Sequence, residues 1–154
     1  MNPANHALVR ELEEETPSTL RQKFEAARAA QPGWAATPLA DRLAAISRFR
    51  ELLVTHATLL AETLTEEMGK PIRQSKNELA GVLARIDFFL ERTQAALADE
   101  TVLDDQQQKL AERISHEPLG VIANISAWNY PYFVGCNVIV PALLAACIAW
   151  RMAR

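Results

Sequence analysis

Hydrophobic residues recur every three or four positions between residues 18 and 99, which is the spacing of amphipathic helices. A first helix is predicted over residues 18–31, and Pro32–Gly33 should stop it. Trp34 follows in the connection, where we expect it to anchor the turn against the core. By itself this pattern predicts a helical core and indicates no chemistry.

Three further helices follow from the same pattern. Thr37–Pro38 should begin one of them, with the threonine hydroxyl as N-cap and the proline at the first helical position. The next should end at Gly69, because glycine readily adopts the left-handed conformation that stops a helix. Pro71 begins a long helix that is predicted to continue to about Asp99.

After the long helix the pattern becomes that of strands. Thr101–Leu103 predicts a short strand, and residues 104–108 predict a turn or an exposed loop tip. Residues 110–116 alternate between apolar and polar side chains, and Pro118 should end this second strand. The β-branched run over residues 119–125 is typical of a buried, parallel strand. Long helices that lead into a buried strand predict an α/β fold.

Composition and charge narrow the range of functions. The chain has 154 residues, the length of one ordinary domain, and a formal net charge of -3. It has no basic block, so nucleic acid is a poor candidate partner. Cys136 and Cys147 have no cysteine or histidine neighbours at zinc-site spacing, so we predict neither a metal site nor a disulfide framework. No secretory signal begins the sequence, which predicts a cytoplasmic location.

The residues that carry chemistry lie within 117–144. An apolar strand over residues 121–125 leads into Ser-Ala-Trp-Asn-Tyr-Pro, and Pro131 is well placed to begin a helix. In α/β folds, ligands bind where a strand ends at a helix N-terminus, because free N–H groups and the helix dipole favour a negative or polar group there. Asn129 at this junction can present its side-chain amide to a bound oxygen. Alternatively, it caps the helix that follows.

Residues 117–144 resemble the aldehyde dehydrogenase superfamily, whose members carry a Pro-Leu-Gly-Val strand, a Pro-Trp-Asn-Tyr/Phe-Pro motif and a Pro-Ala-Leu helix. Trp34, Arg42 and residues 66–71 resemble the same family, so the likeness covers roughly residues 18–145. The resemblance implies an incomplete α/β fold: the N-terminal helical part and the first strands of a Rossmann-like NAD(P)-binding domain. It also implies oxidation of an aldehyde to a carboxylic acid, with NAD or NADP as the hydride acceptor.

The resemblance also assigns site residues. Asn129 matches the asparagine whose side-chain amide donates a hydrogen bond to the oxyanion of the thiohemiacetal. A neutral, fixed donor suits this role, because an aspartate would repel the oxyanion and a lysine lacks the planar amide geometry. Positions that contact the cofactor match Ile125, Ser126, Ala127 and Trp128. Many members have proline where this chain has Ala127, and Trp128 is interpreted equally well as a packing residue.

The likeness is expected to end near residue 145, where the family continues through a Gly-Asn turn into a second strand ending in Lys-Pro-Ser-Glu, which binds the adenosine ribose. We therefore divide the chain into a flexible arm (1–17), a partial cofactor-binding domain (18–145) and a divergent tail (146–154). A frameshift would account for this tail. Because the neighbours of the strand over 121–125 should come mostly from outside the chain, we expect poor solubility or a molten state.

The chain is also expected to lack the family's nucleophilic cysteine and general-base glutamate. A nucleophilic thiolate has to face the oxyanion site. Neither Cys136, in the helix after Asn129, nor Cys147, in the tail, matches that position. We therefore expect the chain to be inactive alone and cofactor binding to be undetectable.

Two other functions stay open. The first is a non-catalytic helical interaction module that forms a homo-oligomer or docks onto a full-length relative, because the family uses the region matching 101–116 in subunit contacts. The second is a single-pass membrane anchor, because residues 132–150 carry no charged side chain and Arg151 and Arg154 follow them. Asn137 and Pro141 interrupt that run. Because of this interruption we expect no membrane partner. The resemblance implies an aldehyde as the partner, and the charge pattern argues against nucleic acid.

Overall fold

The computed structural model describes residues 1–151, in which α-helices precede two small sheets and a further helix connects the strands of the second sheet. The last three residues of the predicted tail lie outside the described residues. In chain order the elements are α1 (Pro17–Ala35), α2 (Leu39–Thr55), α3 (Ala57–Met68), α4 (Ile72–Ala96), β1 (Glu100–Asp105), β2 (Leu110–Ile114), β3 (Val121–Asn124), α5 (Pro131–Leu144) and β4 (Ile148–Arg151).

Helix α1 begins one residue before the predicted start and ends later than predicted. Its N-terminus is closed by a capping box, in which Thr19 N–H donates to Thr16 Oγ1 (3.2 Å) and Thr16 N–H donates to Thr19 Oγ1 (2.9 Å). The predicted stop at Pro32–Gly33 is wrong, because the helix continues to Ala35 with Pro32 inside it. A proline there removes one backbone hydrogen bond, and contacts of the last turn compensate for that loss.

Those contacts fix the last turn of α1 to the carboxyl end of α5. Trp34 Nε1 donates to the carbonyl oxygen of Leu143 (2.9 Å), and Gln31 Nε2 donates to that of Ala146 (3.1 Å). Leu143 lies in the last turn of α5 and Ala146 just after it, so these side chains attach α1 to that end of the helix. The anchoring predicted for Trp34 is confirmed.

The ends of the next helices agree with the sequence prediction in part. The threonine cap predicted for α2 is wrong: Pro38 is the N-cap residue and makes no side-chain hydrogen bond, and the Thr37 hydroxyl donates backwards to the carbonyl oxygen of Gly33 (3.2 Å). The stop at Gly69 is confirmed, with a φ of 69°. Helix α4 begins after Pro71 and ends at Ala96, slightly before the predicted limit.

The hydrophobic core lies between α2, α4 and α5. Its buried members are Ile46, Leu53, Val82, Ile86, Cys136, Val140 and Leu144. On the outer side of the same layer, Arg50 donates hydrogen bonds to the Asp87 carboxylate, and these bonds hold the pKa of Asp87 below its ordinary value. Because this ion pair is exposed, it contributes little to stability. The helical core predicted from the sequence is therefore confirmed for α2 and α4, whereas α1 has no buried residue.

Two separate sheets follow the helices. Strands β1 and β2 form an antiparallel hairpin whose residues are exposed except for Asp105, which is half-buried. Strands β3 and β4 pair in parallel, with Val121 opposite Ile148, and α5 is the crossover between them, as parallel pairing requires. Strand β4 supplies one neighbour of β3, and within the described residues the other edge of β3 pairs with no strand. The poor solubility or molten state expected for the chain therefore stays a prediction.

The turn between α5 and β4 is a regular helix C-cap, although its sequence departs from the family pattern. Cys147 N–H donates to Ala142 O (2.8 Å) and Ala146 N–H donates to Leu143 O (3.2 Å), which is the hydrogen-bond pattern of a Schellman cap. Ala146 has a φ of 62°, a left-handed conformation that glycine adopts more readily. An alanine in this turn therefore still delivers the chain into β4.

The membrane-anchor interpretation requires residues 132–150 to form one continuous helix. In the structure α5 ends at Leu144, and residues 148–151 form a strand. That interpretation is therefore wrong. Among residues 1–151, none of the helices combines the length and the apolar character needed to cross a bilayer.

Candidate functional site

The candidate site lies where β3 ends and α5 begins. Strand β3 ends at Asn124, residues 125–130 form the connection, and α5 begins at Pro131 as predicted. The connection starts from a buried anchor, because Asn124 is 4% exposed and its Nδ2 donates to the carbonyl oxygen of Gly135 (3.4 Å). The predicted order of strand, loop and helix is therefore confirmed, and Asn129 lies in the loop.

The four residues that match cofactor-contacting positions follow one another along this loop. Ile125 is 58% exposed and Trp128 is 74% exposed, and Ala127 is exposed as well. Ser126 is half-buried, and its hydroxyl donates to Asn124 Oδ1 (3.4 Å). Within the described residues most of the Trp128 side chain contacts solvent, so it does not pack into the core of this chain. The loop thus presents two large apolar side chains at the carboxyl end of β3.

Asn129 is exposed and its side chain does not cap α5. The N-cap residue is Tyr130, and it makes no side-chain hydrogen bond. Within the described residues the only hydrogen bond of Asn129 is at its backbone, where its carbonyl oxygen accepts from Lys70 Nζ (2.5 Å). The capping interpretation is therefore wrong, and the side-chain amide is available to a ligand.

The N-terminus of α5 is occupied by a carboxylate from another helix. Glu78 of α4 accepts hydrogen bonds at Oε1 from the backbone N–H groups of Tyr132 (2.9 Å) and Phe133 (3.1 Å). Pro131, the first residue of the helix, has no N–H to offer. The expectation that this helix start offers free N–H groups to a ligand is therefore wrong, because Glu78 takes the place that a bound anion would occupy.

Glu78 is also paired with Lys70. The distance between Lys70 Nζ and Glu78 Oε2 is 2.6 Å, and the two side chains are 10% and 0% exposed. The ammonium also lies 3.7 Å from the centre of the Tyr130 ring. Removing two charges from water is costly, and the cost is offset only when the pair is well hydrogen-bonded. Here both carboxylate oxygens and the ammonium have such partners.

The Lys70–Glu78 pair was not predicted from the sequence. A signal was present: Glu78 lies beside Leu79 and four residues before Val82, so it falls on the apolar face of the long helix. A carboxylate on a buried face needs a partner. The pattern does not say which distant residue supplies that partner.

A cleft of about 370 Å³ opens beside the loop that carries Asn129. Its lining residues are Gln74, Asn77, Glu78, Gly81, Tyr130 and Phe133. The amide side chains of α4 face the aromatic side chains at the start of α5, so the cleft combines polar and apolar surface, as small-molecule sites do. Cys136 and Cys147 are buried, 9% and 3% exposed, and do not line it.

Comparison with known proteins adds independent findings. The model of the "Aldehyde dehydrogenase family" matches residues 1–151. The chain is 32% identical over 145 residues to the 3,6-anhydro-alpha-L-galactose dehydrogenase of Streptomyces coelicolor, covering 94% of this chain and 29% of that protein. It is 32% identical over 146 residues to the glutarate-semialdehyde dehydrogenase of Pseudomonas putida, covering 95% and 30%. The chain thus spans about three tenths of the length of these relatives.

Solved structures agree with the sequence comparison. The succinate-semialdehyde dehydrogenase of Burkholderia pseudomallei superposes with a TM-score of 0.89 at 29% identity, over 97% of this chain and 31% of that one. An NADP-dependent enzyme of E. coli superposes with a TM-score of 0.90 at 27% identity, over 97% and 31%. Both the sequence match and the superposition extend beyond residue 145, into the segment that we interpreted as a divergent tail.

Proposed function

The chain belongs to the aldehyde dehydrogenase family, and from this premise we propose that it is the amino-terminal part of an NAD(P)-dependent enzyme that oxidises an aldehyde to a carboxylic acid. The observation that carries the proposal is the position of Asn129. Asn129 is exposed in the loop between β3 and α5, and its side-chain amide makes no hydrogen bond within the described residues. Its backbone carbonyl oxygen accepts a hydrogen bond from Lys70.

The chemistry of aldehyde oxidation explains why an amide is needed there. Attack of a nucleophile on the aldehyde carbon converts the carbonyl oxygen into an oxyanion. A neutral donor that is already in position stabilises this charge without reorganising during the reaction. In the proposed enzyme the Asn129 side chain donates its N–H to that oxygen. The neighbouring Lys70 ammonium does not compete with this amide for the oxyanion, because it is already paired with the Glu78 carboxylate.

The described residues fit one part of the cofactor. NAD or NADP supplies the hydride acceptor when it is bound. Exposed apolar side chains at Ile125 and Trp128, with Ser126 and Ala127 between them, fit a flat ring and its ribose at the end of β3. The N-terminus of α5 does not fit the pyrophosphate, because Glu78 occupies its N–H groups. We therefore assign residues 125–128 to the cofactor and no pyrophosphate contact to α5.

A second proposal concerns partners and location. Val102, Leu103, Leu110 and Ile114 are exposed on the β1–β2 hairpin, and this apolar surface supports a role in contacts between subunits or with a full-length relative. An interaction module without catalysis stays the alternative function, and it does not explain the exposed amide of Asn129.

We also propose a cytoplasmic location, because both cysteines are buried without a disulfide.

We expect the purified chain to reduce no NAD or NADP in the presence of an aldehyde. We also expect a dissociation constant for either cofactor weaker than about 1 mM, since only one part of the cofactor finds a surface. Absorbance of the reduced nicotinamide and isothermal titration calorimetry measure the two quantities, with a full-length relative as the positive control. Aldehyde-dependent turnover by the chain alone would contradict the expected inactivity.

The role of Asn129 is tested in a chimera, in which residues 1–151 replace the matching segment of the Streptomyces coelicolor relative. This chimera contains the rest of an aldehyde dehydrogenase and so supplies what a turnover assay needs. We expect it to oxidise aldehydes in a manner that depends on Asn129. A folded chimera that turns over equally well without the Asn129 amide would contradict the proposed function.

A further inference from the structure

The backbone around Asn129 is held by one side chain. Lys70, in the connection between α3 and α4, donates from Nζ to the carbonyl oxygen of Asn129 (2.5 Å). Residues 128 and 129 form a turn, and the Tyr130 carbonyl oxygen accepts from Val134 N–H (2.9 Å). Among the side chains of the described residues, Lys70 is the one that holds the Asn129 peptide group.

The ammonium itself is fixed by three contacts of different kinds. It donates to Glu78 Oε2 (2.6 Å) and to Asn129 O (2.5 Å), and it lies 3.7 Å from the centre of the Tyr130 ring. Hydrogen bonds from a charged donor are roughly twice as strong as those between neutral groups, and the ring face adds a cation–π attraction. The side chain is 10% exposed, so water competes weakly for these contacts.

The same ion pair fixes both sides of Pro131. Lys70 holds Asn129 and Tyr130 before the proline, and Glu78 holds the N–H groups after it. The end of the loop and the start of α5 are therefore attached to one buried pair of charges. Because the ion pair is itself fixed, the contact from Lys70 restricts the position of Asn129.

We propose that Lys70 is a positioning residue for the Asn129 amide, an inference that rests on the proposed function of Asn129. The ammonium fixes the Asn129 carbonyl group and thereby the direction in which the exposed side chain leaves the backbone. Precision of this kind matters in catalysis, because a displacement of about 1 Å can lower a rate by about 100-fold. Lys70 itself contacts neither substrate nor cofactor in this assignment.

The test is the mobility of the loop in the 154-residue chain. Lys70→Met keeps the length of the side chain and removes its charge. We expect the amide order parameters of residues 127–130 to fall from about 0.85 to below about 0.6, and those of Tyr132 and Phe133 to stay near 0.85, as measured by nitrogen-15 relaxation. Lys70→Arg keeps a cationic donor, so its loop should stay ordered. Lys76→Met, at an exposed lysine of α4, should leave the order parameters unchanged.

A second variant covers the case in which Lys70→Met leaves Glu78 buried without a counter-charge and unfolds the chain. The double variant Lys70→Met/Glu78→Gln removes both charges and keeps a carbonyl oxygen for the two N–H groups of α5. It should show the same local loss of order. Residues 127–130 that stay as rigid as in the unmodified chain would overturn the proposal, and so would a loss of order spread evenly over α4 and α5.

The measurement requires no catalysis, so the two proposals fail separately. If Lys70→Met loosens the loop while Asn129→Ala leaves turnover of the chimera unchanged, the contact positions Asn129 and the function proposed for Asn129 is overturned. If the loop stays rigid while Asn129→Ala abolishes turnover, the function stands and the role of Lys70 is overturned.

Discussion

Replacing Glu78 by alanine should lower the free energy of unfolding of the chain by about 3–5 kcal/mol. The variant leaves the Lys70 ammonium in a buried position without its carboxylate. It also leaves the N–H groups of Tyr132 and Phe133 without their acceptor, and an unsatisfied buried donor costs about 1–3 kcal/mol. Urea denaturation followed by circular dichroism measures the change.

Two variants serve as controls for this result. Glu91→Ala removes an exposed carboxylate from the same helix and should change the free energy of unfolding by less than about 0.5 kcal/mol. Glu78→Gln keeps an oxygen that can accept from α5, so its cost should fall between those of the two alanine variants. A Glu78→Ala chain that is as stable as Glu91→Ala would show that the ion pair does not hold α4 and α5 together.

Replacing Asn129 by alanine in the chimera should lower kcat by about 100- to 1000-fold, the usual cost of removing one oxyanion donor. The loss is confined to the chemical step, because the amide meets a full negative charge only after attack on the carbonyl carbon. The dissociation constant for the cofactor should therefore change little. Steady-state kinetics and cofactor titration together measure the two quantities.

Substitutions of similar size sharpen the interpretation. Asn129→Asp keeps the shape and replaces the donor by a negative charge, so its turnover should be at least as low as that of Asn129→Ala. Asn5→Ala removes an exposed asparagine of the amino-terminal segment and should leave turnover unchanged. If Asn129→Ala raised KM alone, the amide would bind the substrate without stabilising the charge that develops later.

The parts of the fold that local pattern determines could be predicted from the sequence. The helical stripes, the stop at Gly69 and the helix start at Pro131 depend on residues within a few positions of one another. The β-branched run before the motif predicted β3 for the same reason. The position of the Asn129 loop between a strand and a helix therefore follows from the sequence alone.

The contacts that shape the site join residues far apart in the chain, and local pattern does not determine them. Glu78 caps a helix that begins more than fifty residues later, and Trp34 and Gln31 support the end of that same helix across more than one hundred residues. The predicted stop at Pro32 failed because those contacts hold the last turn of α1. Strand β4 was missed because its apolar run is short and ends in an arginine.

The most direct test of the account is a structure of the chimera with its cofactor and with an aldehyde trapped as the tetrahedral adduct on the catalytic cysteine. We predict that the Asn129 Nδ2 atom lies about 2.7–3.1 Å from the adduct oxygen. A side-chain amide more than about 4 Å from that oxygen, beyond hydrogen-bond distance, would contradict the central claim that Asn129 stabilises the oxyanion.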